Sequence, residues 1–220
     1  MSEPWSGQAL VLSSADAQSH RIVRLLTADD RVVAAIAREA RRGPKRFGAR
    51  VQPLSLSHVT YALRPSDDLA KLGDAALEEP FPTVKGDLVR LALATTMADV
   101  VLTTVPDFAR EEGLFELLLR AWRFLDRGDA RPVEETLLLF ELRFLVLSGL
   151  LAPDELELPN VPNGARDVVA GWLAGQWRPL ADADRPLVAA ALEGLLVAAT
   201  GRALKSRPFL DEVLGRRPPA

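Results

Sequence analysis

The chain has 220 residues, a length suited to one ordinary domain or two small ones, and its 48% hydrophobic and 26% charged residues exclude a wholly disordered chain. It has no cysteine and only two histidines, His20 and His58, which excludes disulfides, thiolate zinc, iron–sulfur clusters, cysteine nucleophiles and multi-histidine metal sites. The formal net charge of −3, taken alone, argues weakly against a nucleic-acid partner.

The start, Met-Ser-Glu-Pro-Trp-Ser-Gly, has no positive segment followed by an apolar one, so no secretory signal is expected. Residues 8–64 then read as strands. Gln8–Leu12 is a short apolar run ending at Ser13-Ser14, a turn composition. Arg21–Leu26 alternates partly, and Asp29-Asp30 follows as a polar turn. Arg31–Ala37 carries the β-branched Val32, Val33 and Ile36, and Gly43-Pro44 breaks the chain after it. Val51–Leu63 alternates more clearly. Residues 69–77 fit either a fifth strand or a helical turn. Four or five short strands joined by turns suggest a small closed barrel of the OB type.

From Thr83 the hydrophobic period changes to that of helices. Asp87–Val105 is ended by Pro106 and Phe108–Asp126 by Gly128. Pro132 opens Val133–Ser148, which is apolar nearly all round and marks the centre of a bundle. Residues 152–163 hold three prolines and read as a loop. Arg166–Ala174 and Arg185–Thr200 are further helices, and Phe209–Leu214 a final turn. The expected class is α+β: an N-terminal OB-fold barrel over residues 1–80, then an all-α domain over residues 81–220, divided near Pro80–Pro82. The most apolar runs, Leu137–Leu151 and Pro186–Thr200, carry charges and fall short of the roughly 20 residues a spanning helix needs. A cytoplasmic chain without membrane contact is expected.

The net charge conceals an asymmetry. Residues 1–65 hold ten Lys/Arg against five Asp/Glu, or +5, and residues 66–220 hold seventeen against twenty-five, or −8. Within residues 31–50, seven cations stand against one acid, Glu39. Such a cluster points to a polyanion. A single-strand groove needs cations along the phosphates and flat groups for stacking. Arg38, Arg41, Arg42, Lys45, Arg46 and Arg50 supply the cations, Phe47 and Tyr61 supply rings, and Trp5 is expected to be exposed and able to stack.

Enzymatic patterns are missing. No phosphate-binding Gly-x-x-x-x-Gly-Lys-Ser/Thr loop, dinucleotide Gly-x-Gly-x-x-Gly or Gly-x-Ser-x-Gly elbow occurs. The pairs Asp67-Asp68, Glu78-Glu79, Glu111-Glu112 and Glu134-Glu135 fall on expected loops or helix starts, where acids suit the helix dipole. No catalytic residue, metal ligand or cofactor is expected.

Three blocks carry a family resemblance. They are Gln8–Leu56, with Ala40-Arg41-Arg42, Lys45-Arg46-Phe47-Gly48 and Val51-Gln52-Pro53; the run Leu137–Pro153; and Gly201–Leu214, with Lys205-Ser206-Arg207 and Phe209-Leu210. In this order they resemble the bacterial RecO family. The resemblance implies an OB barrel plus a helical domain and binding and annealing of single-stranded DNA, with duplex DNA left open. It also implies partnership with RecR and with the acidic tail of the single-stranded-DNA-binding protein in loading recombinase. It makes Arg41, Arg42, Lys45, Arg46 and Arg50 DNA contacts. Arg120, Arg123 and Arg127, on one helical face, are a site for the acidic tail, with a solvated helix edge as the equal alternative. An adaptor binding an acidic protein, rather than nucleic acid, is the competing function. Many members carry a four-cysteine zinc module after the central helix. Here residues 152–164 form a short proline-rich loop without cysteine, so a zinc-less variant is implied.

Overall fold

A computed structural model describes residues 4–17, 20–37, 49–64, 67–128, 133–154 and 156–216. Among these, five strands precede seven helices: β1 is Trp5–Ala17, β2 His20–Thr27, β3 Val32–Ala37, β4 Leu56–Ala62 and β5 Ala70–Glu79. They close into a barrel in the order β1-β2-β3-β5-β4. All neighbours are antiparallel except β3 and β5, which pair in parallel through Ala35↔Ala70 and Ile36↔Lys71. This is the five-stranded OB-type barrel expected from the sequence. Alternate residues point inward, so Ala9, Val11, Val23, Leu25, Val33, Ala35, Val59 and Leu72 fill the interior.

No turn forms at Ser13-Ser14. β1 runs through both serines, and its register shifts between Val11 and Ser13. Its first half pairs with β4 and its second with β2, so one long strand must bend to serve two neighbours. A bulge supplies that bend. The ambiguous stretch 69–77 is strand, because residues 71–79 pair along β4.

The helices are α1 Pro82–Gly86, α2 Leu88–Thr104, α3 Leu114–Arg127, α4 Val133–Leu147, α5 Asn163–Leu173, α6 Arg185–Thr200 and α7 Arg207–Val213. The helix expected from Phe108 starts six residues later. Phe108 and Gly113 have positive φ, and this stretch serves the barrel instead. Phe108 N donates to Val32 O at 2.5 Å, and Val32 N donates to Ala109 O at 3.2 Å. The Asp30 carboxylate accepts from Gly113 N and Phe115 N, both at 3.0 Å, and so caps α3.

Two compact units result. One comprises Met1–Pro82 and Val105–Leu119; the other comprises Thr83–Thr104 and Arg120–Ala220. In the helical unit, α4 packs against α2, α5 and α6, and α2 also packs against α6 and α7. Both α2 and α4 are buried around most of their circumference, which fits their nearly all-round apolar sequence. Charged groups also enter this interior. Glu141 on α4 is fully buried and accepts from Arg207 Nη2 at 3.1 Å. Burial outweighs that pairing and pushes the Glu141 carboxyl up to about 7. Arg207 Nε lies 3.1 Å from Glu193, and Ser206 N and Oγ donate to Asp99 at 2.8 and 2.9 Å. Together these tie α7 to α2, α4 and α6. Among the described residues, no helix is long and apolar enough to cross a membrane.

Candidate nucleic-acid interface

The barrel fixes where the basic stretch leaves and returns. β3 ends at Ala37, one residue after Ile36, the partner of Lys71 on β5. The chain comes back at a 3₁₀ turn, Ala49–Val51, whose Val51 side chain joins the barrel core. There Arg50 Nη1 donates to Ala75 O of β5 at 3.3 Å, and Ser57 Oγ donates to Arg50 O at 2.6 Å. Both anchor points therefore lie along β5, about 13 Å apart at the usual strand rise. Arg38, Arg41, Arg42, Lys45, Arg46 and Phe47 fall between them in sequence and lie outside the described residues.

Arg50 is the one predicted barrel contact that is described. It is exposed and has no acidic partner among the described residues. Several other barrel cations are neutralised: Arg21 by Asp16 at 3.0 Å, Arg24 by Asp107 at 3.2 Å, Arg31 by Asp29 at 3.2 Å and Lys71 by Asp67 at 3.0 Å. Such surface pairs add little stability, but they cancel local field.

The expected exposed ring of Trp5 is instead half-buried. It stacks on Tyr61 with centroids 5.1 Å apart and packs against the barrel core. It also lies over Gly7, where a Cβ would sit 2.9 Å from the indole. Tyr61 itself is buried, which pushes its hydroxyl up to about 12. The stack thus packs against the barrel core where β1 begins and β4 nears its end. His58 lies on the exposed face, with Nε2 3.1 Å from Ser6 Oγ and Nδ1 3.8 Å from Glu78.

Glu134 and Glu135 stand in the first turn of α4, as expected, but Glu135 has a further role. It is fully buried, and its Oε1 accepts from Leu180 N at 2.9 Å and Arg185 Nε at 3.1 Å. Glu134 pairs with Arg216 at 3.0 Å. None of these three partners lies near in sequence, so only tertiary structure reveals them. Among the described residues, no cluster of three or more His, Cys, Asp or Glu could hold a metal ion. A thiolate zinc module does not fit this chain. It has no cysteine, and the residues after α4 are pinned by the buried side chains of Leu151, Leu158 and Val161.

Arg120, Arg123 and Arg127 stand on α3, in the part that belongs to the helical unit. Arg120 and Arg127 are exposed and Arg123 is half-buried. Their spacing places them along one face. The adjacent Asp126 is committed to capping α1, accepting from Thr83 N at 2.8 Å and Val84 N at 3.1 Å.

Comparison with known proteins gives two successive family matches. Residues 1–81 match the family model for the recombination protein O N terminal, and residues 85–154 match that for the recombination protein O C terminal. DNA repair protein RecO of Anaeromyxobacter dehalogenans strain 2CP-C is 32% identical over 232 residues, covering 94% of this chain and 91% of that protein. DNA repair protein RecO of Symbiobacterium thermophilum is 31% identical, covering 90% of this chain and 92% of that protein. DNA repair protein RecO of Anaeromyxobacter sp. strain K is 36% identical over 143 residues, a match spanning 64% of this chain and 56% of that relative. With the N-terminal model matched over the barrel, the C-terminal model following it in order, and a relative 32% identical over 94% of the chain, the chain belongs to the RecO family.

Proposed function

We propose that this chain is a DNA repair protein that binds single-stranded DNA and anneals complementary strands without catalysing a covalent step. The observation that carries this reading is the basic stretch 38–50, strung between two anchor points on an OB-type barrel in a RecO-family chain. Arg38, Arg41, Arg42, Lys45, Arg46 and Arg50 would follow phosphates, with Phe47 offering a ring to a base. The partners that go with this role are RecR and the single-stranded-DNA-binding protein, in loading recombinase at gaps in the cytoplasm. The division of labour proposed is a DNA-binding domain over residues 1–80 and a helical domain over residues 81–220.

A strand-annealing assay on complementary oligonucleotides tests the role directly. Annealing should proceed with EDTA present, because no step of it needs a metal. Metal-dependent cleavage of the oligonucleotides would overturn the binding role in favour of a nuclease.

A second reading has a specific support in Arg120, Arg123 and Arg127, aligned on α3. There the acidic tail of the single-stranded-DNA-binding protein would dock. A tail peptide titrated against labelled oligonucleotide separates the two surfaces. Charge reversal on α3 should weaken the peptide alone, and reversal at Arg41, Arg42 and Arg46 the oligonucleotide alone.

A further inference from the structure

Between α5 and α6 the chain makes a surface excursion with few attachments. α5 closes on Gly175, whose φ is +78°. Gly175 N donates to Trp172 O at 3.2 Å and Gln176 N to Gly171 O at 2.7 Å, the paired bonds of a left-handed helix stop. The chain then doubles back. The Trp177 ring stacks on Trp172 at 4.9 Å, and Trp172 Nε1 donates to Arg178 O at 2.8 Å. Residues 174–176, 178–179 and 181–183 are exposed, and Leu180 alone is buried between them.

What holds this segment at its middle is the carboxylate of Glu135, projecting from α4. One oxygen, Oε1, takes both Leu180 N and Arg185 Nε. Arg185 Nη2 reaches back to Leu180 O at 3.4 Å, which closes a three-membered knot. The other oxygen, Oε2, is buried without a hydrogen-bond partner among the described residues. A buried carboxylate is tolerated only while its partners stay, so the knot makes closure cooperative. Its half-satisfied state also limits how firmly closure is favoured. A segment with one buried apolar side chain and a largely solvated backbone is of the kind that opens locally while the rest stays folded.

We propose that residues 175–184 form a strap that opens as one unit, with Glu135 as its latch. The strap is distinct from the basic stretch and from the α3 arginines. Its ties include a ring stack, one buried apolar side chain and a carboxylate, and among the described residues no cluster of three or more metal-ligating side chains lies there.

Hydrogen exchange read by mass spectrometry tests this on the full chain. Glu135→Leu removes the two bonds that Glu135 accepts and leaves only Arg185 Nη2 on Leu180 O. Peptides covering 175–184 should then exchange about tenfold faster, with α2 and α4 unchanged. Glu135→Gln keeps an acceptor for Leu180 N and should give a smaller acceleration in the same peptides. EDTA should leave the wild-type strap unaltered. Unchanged strap exchange in Glu135→Leu, acceleration spread evenly through α4 and α6, or an EDTA effect equal to that of the substitution would each overturn the proposal. Should Glu135→Leu fail to fold, Arg185→Met carries the test. It leaves the Leu180 bond in place and should still accelerate exchange in 175–184 alone, and no change or a global change there overturns the proposal.

Discussion

Two carboxylates start helices that lie far from them in sequence. Asp30, in the turn after β2, caps α3 across 83 residues, and Asp126, near the end of α3, caps α1. Asp30→Ala should cost about 1–2 kcal/mol, read as a lower urea midpoint at unchanged slope. In the sequence Asp30 reads as a turn residue, which it is, with φ of +65°. Its second task is invisible there, because nothing near it in the chain is capped. Glu141 makes a prediction about pH. Its folded value, about 7, stands above its ordinary 4.5. Its contribution to stability is therefore full below about 4.5 and falls as pH rises through about 7. Glu141→Gln should flatten stability against pH in that window, as followed by chemical unfolding at several pH values. Burial makes this group special, and the pattern of an apolar helix with an isolated acid hints at it without naming Arg207. For Arg50, loss of one phosphate contact should lower the salt slope of oligonucleotide binding by about 0.7 in Arg50→Ala.

At the scale of elements, periodicity served well where an element has one job. The later part of the alternating stretch Val51–Leu63 is β4, Leu56–Ala62, while Val51 closes a 3₁₀ turn and Leu54 has positive φ; the all-round apolar run after Pro132 is the central α4. It failed where an element has two. β1 looked like a short strand because it bends at a bulge to reach both β4 and β2. The residues before α3, Phe108–Gly113, carry no proline to stop a helix, yet Phe108 and Ala109 bond to Val32. Helical spacing cannot show that a barrel strand needs a partner there. Trp5, expected to be exposed, is set opposite Tyr61 by strand pairing, which its own position in the sequence does not show. Because Trp5 packs against the core, Trp5→Ala should cost about 3 kcal/mol, the low end for a lost large aromatic, since the ring is half-buried. Thermal unfolding should register that loss, while oligonucleotide affinity measured well below the transition should stay near wild type. An affinity lost without a stability loss would restore the stacking role.

Across the whole molecule, the net charge of −3 describes neither part. The first 65 residues carry +5, and the described barrel cations outside the basic stretch are largely paired with acids. The barrel topology, the helical bundle and the family could all be read from the sequence, because each is spread over many residues. The basic stretch could be read as charge, and the structure adds its two anchor points along β5. The central claim is that this stretch is the DNA contact. It is tested most directly by titrating a labelled single strand over a range of salt, with wild type and with Arg41→Glu, Arg42→Glu and Arg46→Glu combined. For wild type, log affinity should fall linearly with log salt, by about 0.7 for each phosphate neutralised. In the triple variant binding should vanish while the unfolding midpoint stays put. Unchanged affinity in a folded triple variant would contradict the claim.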